Sequence, residues 1–143
     1  MAGRLVGAHY PMEWSMDYYI ARTVTAGFDD TLTRTVAALK KEGFGVLTEI
    51  DVAATLKEKL RVDFRKYRIL GACNPPLAHK ALTAEDKIGV MLPCNVIVQE
   101  LGSEQTEIAA IDPRAAMERV GNPALGAIAA EVADRLTRVV ESA

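Results

Sequence analysis

Polar and apolar positions along the chain change period several times. Tyr18, Ile20, Arg22 and Val24 alternate with Tyr19, Ala21, Thr23 and Thr25, a period of two with the aromatic and β-branched content of a strand that ends at Gly27. Asp29 or Asp30 then offers a carboxylate to the free amides of a helix start. Leu32, Val36 and Leu39 follow at helical spacing, and Lys40, Lys41 and Gly43 supply a basic end and a stop. Residues 44–50 return to period two, with Phe44, Val46, Thr48 and Ile50 expected on one side.

Asp51 caps a short helix from Val52 to about Leu60, in which Val52, Leu56 and Leu60 share a stripe and Lys57, Glu58 and Lys59 face away. Residues 67–73 form the third strand. Asn74-Pro75 starts another helix, with asparagine as the cap and proline at the first position, where its missing amide costs nothing. Residues 87–92 are apolar enough to be extended, and Pro93 marks a strand start, a bulge or an edge. Residues 94–100 and 104–111 read as an antiparallel hairpin about Leu101-Gly102-Ser103. Asn122-Pro123 repeats the helix-start signal, and Leu125, Ile128, Val132, Leu136 and Val139 make one apolar stripe down a last helix of roughly 28 Å. Hairpin-linked strands followed by a long helix predict an α+β domain, with helices against one face of a largely antiparallel sheet. The expected organisation is one domain over residues 18–143 behind an N-terminal extension, residues 1–17.

Composition narrows the partners. The chain has 143 residues, half of them apolar and a quarter charged, with a net charge of −2 and a pI near 5.7. The longest positive cluster, residues 57–68, has two acids inside it, so no nucleic-acid partner is expected. No apolar run approaches the roughly 18 residues of a membrane span, residues 1–14 lack the apolar core of a leader, and the polar face of the last helix is mixed in sign; no membrane partner is expected. Two cysteines 21 positions apart suggest reduced thiols in a cytoplasmic compartment.

Unusual residues concentrate in residues 69–98, where Cys73-Asn74-Pro75 and Pro93-Cys94-Asn95 nearly mirror each other. If the strands carrying them are antiparallel neighbours, Cys73 and Cys94 approach at one sheet end; if parallel, they sit at opposite ends. Cys73 also precedes a helix start, whose dipole favours a thiolate, although Pro75 and Pro76 remove two of the amides. The plain reading of both cysteines is small buried filler. A metal would need help from His79, His9 or a second subunit, or soft sulfur from Met91 and Met117. Asn74 reads first as an N-cap, Asn95 as a partner for backbone near Pro93, His79 as a solvated helix residue, and Asp112-Pro113 as a turn or helix start.

Enzyme motifs are missing from the sequence: Gly43-Phe44-Gly45 lacks the third glycine of a dinucleotide loop, and no serine has a nucleophile-elbow setting. The leading expectation is a non-enzymatic small-molecule or ion-binding module with Cys73, Asn74, Cys94, Asn95 and His79 about its site, and no cofactor is identified. The alternatives are a thiol-redox or metal-handling protein using Cys73 and Cys94, and a non-catalytic homodimeric interaction domain.

Gly43-Phe44, Glu49-Ile50-Asp51, the run from Ile69 to Pro75, Ala78, Ala81-Leu82 and Leu92-Pro93-Cys94-Asn95-Val96 together resemble the family catalogued as domain of unknown function 302. The likeness runs from about Tyr18 to the C-terminus. It implies a TATA-binding-protein-like α+β fold, a curved antiparallel sheet gripping a long C-terminal helix, and a homodimer; it also supports the antiparallel arrangement of the cysteine strands. It implies no activity, and fold likeness does not carry DNA binding with it.

Overall fold

The computed structural model describes residues 18–143, so the expected extension at residues 1–17, with His9, lies outside the described residues. Five strands form a single sheet in the order β1-β5-β4-β3-β2, every neighbouring pair antiparallel. The strands are β1 (Tyr19–Val24), β2 (Gly45–Asp51), β3 (Tyr67–Cys73), β4 (Cys94–Gly102) and β5 (Gln105–Ile111). The helices are α1 (Phe28–Lys41), α2 (Val52–Leu60), α3 (Pro75–Ala84), α4 (Pro113–Glu118) and α5 (Ala124–Ser142). The α+β class and the helices against one antiparallel sheet match the sequence pattern.

Local chemistry explains most element ends. The Asp51 carboxylate accepts the Ala54 amide at 2.9 Å, and the Asn74 side chain accepts that of Leu77 at 3.3 Å, so both expected caps are in place. Asn122 caps the α5 start through Ala124 N at 3.0 Å. Asp112, in the same role, opens α4. Helix α1 departs from expectation. Its N-cap is Gly27, without a side-chain bond, and Asp29 and Asp30 sit in the first turn, facing the positive end of the helix dipole. Its buried face is Phe28, Thr31, Thr35, Ala38 and Leu39, while Val36 is exposed. The threonines can be buried because their hydroxyls donate to the carbonyls of Gly27 and Thr31, each at 2.8 Å.

Two further differences concern strands. The ladder between β2 and β3 shifts register between Val46 and Thr48, a bulge at Leu47 that sends Thr48 and Ile50 to the face opposite Val46. Residues 88–91 wind into a 3-10 turn instead of a strand; the carbonyls of Glu85, Lys87 and Gly89 accept the amides of Ile88, Val90 and Leu92. The hairpin turns one step later than expected: β4 runs to Gly102, which pairs with Gln105, so Ser103 and Glu104 make the turn, with Glu104 at φ 57°.

The core lies on one side of the sheet. Leu70 and Ala72 of β3, Cys94 and Val96 of β4 and Ile108 and Ala110 of β5 pack against Ala38 and Leu39 of α1, Leu77 of α3 and Val132, Leu136 and Val139 of α5. A second cluster joins α3, α4 and α5 through Ala81, Ile88, Met117, Leu125 and Ala129. The α5 stripe is therefore the packing surface that its spacing predicts. Arg22 of edge strand β1 clamps the far end of that helix: its Nη1 donates to the carbonyls of Val140 and Glu141 at 3.1 and 2.6 Å, satisfying acceptors that a helix end leaves unpaired. Helix α2 contributes no side chain to either cluster and buries none fully.

Candidate functional site

Strand pairing brings the two cysteines to one end of the sheet. Ala72 faces Cys94 and Gly71 faces Asn95, so the two Cys-Asn dipeptides lie on adjacent antiparallel strands but are offset by one residue. Successive side chains on a strand point to opposite faces. The offset therefore separates the sulfurs: Cys94 points with Ala72 and Val96 into the helix-covered core, and Cys73 points with Ile69 and Gly71 to the other face. The asparagines divide in the reverse sense. Asn74 is buried, its Oδ1 accepting from Leu77 N and its Nδ2 donating to the Glu42 carbonyl at 3.5 Å, whereas Asn95 is exposed on the face that carries Cys73.

Cys94 is chemically quiet. Burial, with a smaller contribution from neighbouring Cys73, pushes its thiol up to about 11, so the thiolate is about one part in ten thousand at pH 7. Cys73 is half-buried. His79 lies exposed on α3, Met117 is buried in the second cluster, and Met91 is on the exposed 3-10 turn. Among the described residues no three His, Cys, Asp or Glu side chains come together in a way that could hold a metal ion.

The face that Cys73 and Asn95 share carries none of the helices that build the two core clusters. Its residues fall into rows across the strands. One end row is polar: Tyr67, Gln99, Glu107 and Thr23 stand side by side, with Gln99 donating to Glu107 at 2.7 Å and accepting from Arg65 Nε at 2.8 Å. The middle row is apolar from edge to edge: Ile50, Ile69, Ile97, Ala109 and Ala21. The third row holds Thr48, Gly71 and Asn95 and continues toward Ile111 and Tyr19. Gly71 must be glycine there. A Cβ on it would collide with Thr48 Oγ1 and lie 2.9 Å from Pro93 Cγ, because the bulged β2 and the start of β4 both lean over this position.

The sequence reading found Cys73 and Asn95 but missed the isoleucine row. The signal was present, since β3 and β4 are apolar at consecutive positions and not at alternate ones, the mark of strands covered on both faces. Two grooves lie elsewhere. One of about 700 Å³ runs between α4 and α5, past Asp112, Arg114, Met117, Glu118 and Asn122. Burial there would raise the Asp112 carboxyl, but hydrogen bonds from the Arg114 guanidinium and amide, with the charge of Arg114, outweigh it and hold the group below its ordinary value. The other, about 280 Å³, lies between Phe28, Asp51, Lys66 and Arg68; Arg68 is held there by Glu49 and, at 3.3 Å, by Asp51. Neither groove is lined by Cys73, Cys94, Asn74, Asn95 or His79.

Comparison with known proteins agrees with this geometry. The family model described as "Domain of unknown function DUF302" matches residues 20–143. The crystal structure of an uncharacterized conserved DUF302 protein from Bacillus stearothermophilus superposes with a TM-score of 0.82 at 32% identity, covering 90% of this chain and 98% of that one. No curated protein matches. Among the described residues no helix is long and apolar enough to cross a membrane.

Proposed function

The chain belongs to the DUF302 family, whose description assigns no activity, and we propose that it is a non-catalytic binding module that works through the sheet face opposite the core helices, paired with a second copy of itself. The observation that carries this reading is the middle row, Ile50, Ile69, Ile97, Ala109 and Ala21. An antiparallel sheet with one solvated face normally alternates apolar and polar residues, and a contiguous apolar patch marks a surface that is covered in use. Five strands about 4.8 Å apart and seven residues long give a face of roughly 550 Å² in projection. Pleated side chains expose more than their projection, which brings the face to the order of the 800 Å² per partner of a stable interface. The row carries no charge, so a two-fold-related copy can lie across it without opposing like charges. The same arrangement, with a long helix on the other face, supports the TATA-binding-protein-like reading of the fold.

Light scattering on the wild type and on Ile97→Glu tests the proposal. The expected masses are twice the chain mass and the chain mass, with unchanged far-ultraviolet dichroism. A monomeric wild type at working concentration rejects it.

A small-molecule or ion-binding role at the Cys73 corner is the second reading. It rests on Cys73, Asn95 and Thr48 standing together on that face, with Asn74, Cys94 and His79 directed elsewhere. Native mass spectrometry with metal analysis under reducing conditions tests it, and a preparation free of bound species argues against it. A thiol-redox role is favoured less, because Cys94 is buried and raised and its strand offset points it away from Cys73.

A further inference from the structure

The α2–β3 connection carries a second surface, which adjoins the polar end row of the sheet face through the Arg65–Gln99 bond and the Phe64–Tyr67 ring contact. Leu60, Val62 and Phe64 occupy every second position, and they are 64%, 44% and 40% exposed. The segment is rich in cations: residues 57–68 contain Lys57, Lys59, Arg61, Arg65, Lys66 and Arg68 against Glu58 and Asp63, with Lys66 facing Asp29 and Arg68 held by Glu49 and Asp51 outside it. Lys57 is tied to Asp63 at 2.8 Å, and Arg65 stacks over the Phe64 ring, 4.4 Å from its centroid. Lys59 and Arg61 enter no ion pair among the described residues. The segment is anchored, since the Lys66 carbonyl accepts Glu100 N at 2.9 Å, and Arg61 closes α2 in the left-handed region at φ 59°. Each of the three apolar side chains keeps part of its surface in solvent on this anchored segment.

We propose that this tip docks on an anionic lipid surface, with Leu60, Val62 and Phe64 entering the interfacial layer and Lys59, Arg61 and Arg65 meeting the headgroups. Charge complementarity selects the partner: the segment is a basic island in a chain whose net charge is −2. Shape selects lipid over an acidic peptide, because the three apolar side chains line neither groove and protrude, and a peptide would need a groove to bury them. The contact is peripheral and needs no spanning helix. A few basic residues with a small apolar insertion give weak, salt-sensitive binding that pairing of two copies would strengthen.

Cosedimentation of the full chain tests this, with vesicles of phosphatidylcholine alone and with about one third phosphatidylglycerol. The expected result is at least tenfold stronger binding to the anionic vesicles, falling as salt rises. Lys59→Glu with Arg61→Glu, and separately Leu60→Ser with Val62→Ser and Phe64→Ser, are each expected to weaken it at least tenfold while leaving the mass by light scattering unchanged. Phe64→Trp in a Trp14→Phe background supplies an independent readout, an emission shift to the blue on anionic vesicles. Absence of cosedimentation at low salt, equal binding to neutral vesicles, or no emission shift overturns the proposal. So does binding lost with the charge pair but kept with the apolar triple, which would mean a polyanion contact without insertion.

Discussion

Cys73-Asn74 and Cys94-Asn95 are the same dipeptide in two opposite settings. In the first, cysteine is half-buried on the face opposite the core helices and asparagine is buried as a helix cap; in the second, cysteine is buried in the core and asparagine is exposed. A single residue of strand offset makes the difference, because side-chain direction alternates along each strand. The lesson is that identical residues brought close together in space need not form one site. One pair member in each setting serves the fold and the other is left to the surface.

The largest effect that could break this contrast comes from placing a charge at each cysteine. Cys94→Asp puts an unpaired carboxylate into the core and is expected to cost about 3–5 kcal/mol, while Cys73→Asp costs about 1 kcal/mol or less. Equal losses in denaturant midpoint would mean that both side chains face the core. Reactivity gives the next contrast. With the Cys94 thiol buried and raised to about 11, alkylation of the folded protein near pH 8 is expected to be much slower at Cys94 than at half-buried Cys73, as read by peptide mass spectrometry over time.

The asparagines reverse the order. Asn74→Ala removes a buried cap and is expected to cost about 1–2 kcal/mol, against about 0.5 kcal/mol or less for Asn95→Ala. Smallest is a difference between two proline-started helices. The Asn74 cap of α3 does not titrate, but the Asp112 cap of α4 does, and its folded value is depressed. Its contribution is thus complete above the unfolded value of about 3.9 and is lost as pH falls through the lower folded value. Thermal midpoints of the wild type and Asp112→Asn, measured from pH 6 to pH 2.5, should converge at the acid end.

Features decided by a few neighbouring residues were legible in the sequence. The caps at Asp51 and Asn74, the stop at Gly43 and the stripe of α5 depend on nothing further than one or two helical turns. The antiparallel approach of the cysteine strands was legible only as one of two alternatives that the family resemblance favoured. What could not be read depends on a partner strand. The bulge at Leu47 lies where β2 crosses Gly71 and Pro93, and it moved Thr48 and Ile50 to the face where they complete the rows opposite the core. The face of each cysteine required the register of β3 on β4 to a single residue, and hydrophobic pattern cannot supply that when a strand is apolar on both sides. Thr31 and Thr35 were missed because burial of a hydroxyl depends on a bond to the preceding turn, which polarity alone conceals.

The clamp of Arg22 on α5 has a consequence for the order in which the chain can assemble. Strands β2 to β5 are each paired with a neighbour in sequence, so that meander can close through connections of at most 20 residues. Strand β1 has no such neighbour: Tyr19 pairs with Ile111, and Arg22 reaches carbonyls 118 and 119 residues away. Contacts so distant carry the largest loop-closure entropy among the described residues. Of the five described strands, the one synthesised first is therefore the one that must wait longest for its partners, and its docking joins β1 to the C-terminal helix in one cooperative unit.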